Sequence, residues 1–197
     1  LTQFAVLGAV YARVVEGISN PRIGVLNIGT EDMKCGEVLR ETAAVLSKVK
    51  LPGHFMGFVE GVDITNGRAD VIVTDGFTGN VALKTAEGVA NMSQFYIRRA
   101  FKSSPFAMLG ALLAYRSFKK VKKELDPRSY NGGMFLGLNG ICVKSHGSSD
   151  HVGFANAIKV AAELAHHGFN KRVAVEIEQL MSQESFFISD LEDQEGI

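Results

Sequence analysis

A chain of 197 residues suits one domain with a substantial core, and 46% hydrophobic with 21% charged residues is the composition of a globular enzyme. The formal net charge is zero, so no global field points to nucleic acid. Cys35 and Cys142 are the only cysteines and lie far apart without a His or Cys motif. That argues for a reducing, cytoplasmic compartment and against a disulfide framework or a structural zinc site.

Along the chain, Phe4, Leu7, Ala9, Tyr11, Val14 and Val15 supply the apolar face of a helix over residues 2–16, stopped by Gly17. The pattern opens uncapped at Leu1, so the chain reads as the larger, C-terminal part of a domain whose N-terminal part is missing. Residues 22–28 are a near-continuous apolar run, the mark of a strand buried on both faces. Thr30 is the expected N-cap of a helix reaching about residue 50, with Glu31 and Asp32 in its first turn. Residues 55–59 and 69–74 are the next strands, and 60–64 the loop after the first of them. A Gly-rich turn follows, then helices over residues 81–101 and 106–125, interrupted at Pro105. The most apolar run here, residues 105–115, is about half the roughly 20 residues that a membrane-spanning helix needs. Residues 136–144 are strand-like, 146–150 a loop, and 151–167 a helix capped by Ser148, Ser149 or Asp150. After Arg172 come seven acids and no Lys or Arg: 173–180 have helical character, and 181–197 read as a solvated tail. Strands alternating with helices predict an α/β fold, a mostly parallel sheet covered by helices on both faces, over residues 1–172.

In open parallel sheets ligands bind beyond the carboxyl ends of the strands. Four such ends are polar and glycine-rich: Asn27 to Gly29, Glu60 to Asp63, Asp75 to Asn80, and Lys144 to Asp150. Gly76 and Gly79 let the backbone turn tightly against an anion, and the N–H groups opening the next helix favour phosphate. Lys84, about one turn into that helix, is placed to add a positive charge, and Asp75 to offer a hydrogen bond or hold a metal. A plainer reading has Asp75 capping the helix and Lys84 in solvent. In the last segment, Gly147, Ser148 and Ser149 offer a nest of donors for phosphate or an oxyanion, and His146 is a candidate acid or base beside Lys144. Ser148 to Asp150 could equally be an N-cap cluster. With no Gly-x-Ser-x-Gly elbow, Walker lysine motif or Gly-x-Gly-x-x-Gly fingerprint, the residues favour direct attack by bound phosphate, with no cofactor and no metal.

Residues 89–123 hold no acid but eight cations, among them Arg98, Arg99, Lys102, Arg116, Lys119 and Lys120. Phe106, Leu109 and Leu112 lie among them, so residues 89–125 predict a protruding helical hairpin with an apolar tip and basic flanks. A buried hairpin with a wet basic face and a dimer interface are the plain alternatives. Eight cations without an anion suit an acidic protein partner or an anionic bilayer better.

Asn27-Ile28-Gly29, Val59 to Ile64, Asp75 to Asn80 with Leu83-Lys84, and Lys144 to Asp150 resemble, in order, segments of the phosphate acyltransferases of bacterial phospholipid synthesis. The resemblance covers residues 1 to about 168. It implies transfer of a long-chain acyl group from acyl carrier protein to inorganic phosphate. It also implies a homodimer, a three-layer α/β/α architecture akin to phosphotransacetylases and isocitrate-type dehydrogenases, and peripheral membrane association. Acyl carrier protein is strongly acidic, which gives the basic hairpin a purpose. Family members begin with a further strand–helix region absent here, and the acidic tail runs past their usual end.

The expected site therefore takes phosphate on Gly76, Gly79, Asn80, Gly147, Ser148 and Ser149. Lys84, Lys144, His146 and Asp75 do the chemistry, and Asn27, Gly29, Glu60 and Asp63 give support. Three rivals stand: a short-chain phosphotransacylase using coenzyme A, a non-catalytic membrane-binding or dimerisation module, and a hydride-transferring dehydrogenase.

Overall fold

A computed structural model describes the backbone of residues 1–29, 35–124 and 126–195, and their side chains except those of 122–124, 127 and 184–195. The expected cap Thr30 and the first-turn acids Glu31 and Asp32 lie outside the described residues. The chain is mixed α/β, with a parallel three-stranded sheet and the helical layers that an α/β/α fold expects.

Strand β1 (Arg22–Leu26) is central, flanked in parallel by β2 (His54–Val59) and β3 (Val71–Val73). An extra residue in β2 between Phe55 and Phe58 is accommodated at Gly57, whose φ of 87° disfavours any side chain, and brings Val59 level with Leu26. The other side pairs Val25 with Val73, so all three strands end at one edge.

Helix α1 (Thr2–Val15) is buried on two sides. Ala5 and Ala9 join Ile23, Val25, Phe58 and Val73 of the sheet and Leu46 of α2 (Glu37–Leu46) in one cluster. Val6 and Val10 pack instead against Leu164 of α7 (His151–His166) and Phe169 and Leu180 of α8 (Phe169–Glu195). The small side chains on the sheet side let α1 lie close to it. Between β2 and β3 runs a single turn, α3 (Asp63–Asn66).

Three expectations change. The helix after β3, α4, spans Gly76–Phe101, so the Gly-rich turn is its first turn. Residues 136–144 do not extend the parallel sheet: only Val143–Lys144 (β5) is strand, antiparallel to Gly133–Met134 (β4), and the Phe135 N–H donates to the Cys142 carbonyl at 2.9 Å. Gly137, at φ 80°, helps turn the chain back between them. The tail is the third: α8 continues to Glu195 because Ile177 and Leu180 carry its packing past Arg172, and Gln183 Oε1 accepts the Lys50 N–H at 2.8 Å.

The predicted hairpin contains three helices, the second splitting near Ala114 into α5 (Pro105–Leu113) and α6 (Tyr115–Glu124). Ser104 caps α5 by accepting the Ala107 N–H, and Phe101 meets Phe118 edge-to-face at 5.1 Å. No residue of α4 or α5 is buried.

Arg22 ties the starts of β1 and β3 together: its N–H, Nε and Nη2 donate to the Asp70 carboxylate at 2.8, 2.9 and 2.8 Å. These bonds hold Asp70 down to about 2. A depressed carboxylate contributes stability above its unfolded value, about 3.9, and loses it as pH falls through the folded one. Unfolding titrations should therefore show a stability loss from about pH 4 towards pH 2, flattened in Asp70→Asn.

Candidate functional site

Because the three parallel strands end together, the segments that follow them share one edge of the sheet. After β1, the buried Asn27 donates Nδ2–H to the Gly29 carbonyl at 2.9 Å and its backbone N–H to Val59, folding the turn onto the neighbouring strand. After β2, the buried Asp63 accepts the Glu60 N–H at 2.9 Å and pairs with Arg68 at 3.4 Å. Asn27, Gly29, Glu60 and Asp63 thus build the turns after β1 and β2.

After β3, Asp75 is the N-cap of α4. It accepts the Thr78 N–H at 2.8 Å and the Thr78 hydroxyl at 2.5 Å, and the latter bond leads in holding its pKa low. The plainer reading of Asp75 thus holds at the level of contacts. An incoming phosphate would compete with this carboxylate for helix N–H groups.

With Gly76 opening the helix, Lys84 lies two turns in, about 12 Å along the axis. Gly76, Asn80, Lys84 and Glu87 follow at spacings of four, four and three, so they share one face of α4. Lys84 Nζ pairs with Glu87 at 2.8 Å, and that bond is the chief reason the Glu87 carboxyl titrates low. A smaller contribution comes from His146.

His146 Nδ1 accepts the Ser148 N–H at 3.3 Å and lies 2.9 Å from the Ser148 hydroxyl. With Nδ1 an acceptor, the neutral ring carries its proton at Nε2. The Ser149 N–H donates to the His146 carbonyl at 3.0 Å, closing the turn around Gly147. Asp150 caps α7 by accepting the Val152 and Gly153 N–H groups at 3.1 and 3.0 Å. The Gly153 bond leads in lowering its pKa, followed by Arg128 at 3.2 Å. Lys144 is exposed at the end of β5, two residues before His146.

Glu87, Arg128 and Asn131 were not among the residues expected from sequence. Glu87 carried a signal, its i,i+3 spacing from Lys84. Arg128 and Asn131 reach partners up to 22 positions away in sequence, which no local pattern reveals. Among the described residues no group of three His, Cys, Asp or Glu is placed to hold a metal, and no helix is long and apolar enough to cross a membrane.

Truncating Asp63 removes a charged acceptor of a backbone N–H in a buried position. Asp63→Ala should cost about 1–3 kcal/mol in denaturant unfolding, and an unchanged midpoint would remove Asp63 from the support of the Glu60 turn.

A family model described as Fatty acid synthesis protein matches residues 1–172. A phosphate acyltransferase of Paramagnetospirillum magneticum is 53% identical over 184 residues, covering 93% of this chain and 52% of its own. Those of Rhodospirillum centenum and Rhodospirillum rubrum are 53% and 51% identical, covering 92% and 90% of this chain. The chain spans about half the length of the curated relatives it matches. With its matched family residues covering most of its length, the chain belongs to the Fatty acid synthesis protein family and is similar to its phosphate acyltransferases.

Proposed function

We propose that this chain is part of a phosphate acyltransferase that moves a long-chain acyl group from acyl carrier protein to inorganic phosphate. Supporting the reaction class are the names of its relatives and the family match over residues 1–172. The match to those relatives over most of this chain is the observation that carries the reading, and the chemistry requires phosphate and a thioester carbonyl to meet between a cation and an oxyanion donor.

In this reading phosphate lies between the start of α4 and the Gly147 turn, shared by Lys84 and Lys144. A phosphate oxygen attacks the thioester carbonyl, the C–S bond breaks, and the carrier thiolate leaves. The Nε2–H of His146 and the Ser149 hydroxyl donate to the developing oxyanion, while the Ser148 hydroxyl donates to Nδ1 and holds the ring. Asp75 and Asn80 fix the helix end on which the anion rests. A thiolate is a good leaving group, so no strong acid is needed.

The donor and the setting rest on α4 to α6. Phe106, Leu109 and Leu112 are 86%, 55% and 70% exposed. Arg98 and Arg99 close α4, Lys102 follows, and Arg116, Lys119 and Lys120 lie on α6. An apolar surface with basic flanks fits acidic acyl carrier protein, a second copy in a homodimer, and peripheral contact of a cytoplasmic enzyme with an anionic membrane.

The direct test is phosphate-dependent loss of acyl thioester from long-chain acyl carrier protein by the full-length protein. Cleavage of acetyl-coenzyme A with acyl carrier protein ignored would favour the short-chain reading. Vesicle binding without thioester loss would favour a non-catalytic module. Lys84→Ala should remove about 3 kcal/mol of transition-state stabilisation, roughly 10²-fold in rate, and near-normal turnover would take Lys84 out of the site.

A further inference from the structure

Asn131 is 9% exposed, and its side chain reaches four groups on the segment that carries His146. Oδ1 accepts the His146 backbone N–H at 2.9 Å. The two Nδ2 hydrogens are shared among the Ser145 hydroxyl at 2.8 Å, the Ser149 hydroxyl at 3.0 Å and the Gly153 carbonyl at 2.7 Å. The turn bearing the His146 ring and the Ser148 hydroxyl is thus held on both shoulders by one amide. Its own backbone is held in turn: Asn156 of α7 donates Nδ2–H to the Asn131 carbonyl at 2.9 Å and to that of Ser129 at 3.0 Å. Gly153 completes the clamp, since a Cβ there would stand 2.2 Å from Ser149 Oγ and displace it.

We propose that Asn131 is a positioning residue of the acyl-transfer site, fixing the His146 turn and tautomer and the Ser149 donor without touching substrate. The inference rests on the reading of the His146 loop given above. The amide is suited to the task because it gives two hydrogens and accepts one on a single rigid plane. A carboxylate of the same shape keeps the acceptor for the His146 N–H and loses every donor.

The test compares Asn131→Ala and Asn131→Asp with the unaltered full-length protein. Each variant is followed by thermal unfolding, by kinetics on long-chain acyl carrier protein and phosphate, and by ¹⁵N spectra of the histidine rings with His146 assigned through His146→Gln. In both variants kcat should fall by about 10²-fold with KM for phosphate and thioester within about threefold, since misplacement affects the transition state more than binding. The His146 ring should change from an Nε2–H tautomer to an averaged signal in Asn131→Ala. Should Asn131→Ala not fold, Asn131→Asp, which keeps the side-chain shape, decides on kcat and on loss of the fixed tautomer. Unchanged kcat in a folded variant while His146→Gln is impaired, or an unaltered His146 tautomer, overturns the proposal. Absence of phosphate-dependent transfer in the unaltered protein instead sinks the reaction, while the ring spectra still decide whether Asn131 holds His146.

Discussion

Helix α1 is the wedge on which the arrangement depends. Its sheet side carries only Ala5 and Ala9 into the cluster with Ile23 and Val25, so it sits close to the strands, while Val6 and Val10 reach the opposite way to Leu164 and Phe169. The sheet launches α4 with Lys84 and Glu87; α7 follows the loop that holds His146. These parts have no strand pairing in common, since β5 belongs to a separate antiparallel pair. Burial of both sides of α1 is what fixes the distance between them, and the hydrophobic stabilisation of those residues is large compared with any one polar contact at the surface.

On that frame, both candidate anion-binding turns carry a capping carboxylate, Asp75 at the start of one and Asp150 at the end of the other. Asp75 and Asp150 satisfy helix N–H groups that water or an anion would otherwise take, which favours the helices when no ligand is bound. The same bonds keep each carboxylate ionised, so they also repel an approaching phosphate. Lys84 and Lys144 on one side, and Arg128 against Asp150, supply compensating charge. A site of the proposed kind would hold its shape empty and take an anion through balanced charges, not through a bare helix end.

Much of this was legible in the chain. The runs ending at Ile28, Val59 and Thr74 announced a parallel sheet through continuous apolarity, and glycine with a polar residue after each marked the turns that share its edge. The start of α4 was misread because Gly76 and Gly79 look like a turn by propensity; the Asp75 cap outweighs that cost and begins the helix at Gly76. Residues 136–144 looked like another sheet strand because their apolar content matches one, whereas Gly137 and the Phe135–Cys142 bond fold them into a hairpin. The continuation of α8 was hidden by its acidic composition, which says nothing about where Leu180 packs. Asn131 was out of reach in principle: its partners lie 14 to 22 positions away, and a lone Asn beside two glycines reads as a turn.

The most direct measurement is a crystal structure of the full-length protein grown with inorganic phosphate. The account predicts one phosphate within hydrogen-bond reach of the Gly147 turn and of Lys84, with the Glu87 pair loosened to admit it. Phosphate absent from that space, or the start of α4 and the His146 loop facing opposite sides of the molecule, would contradict it.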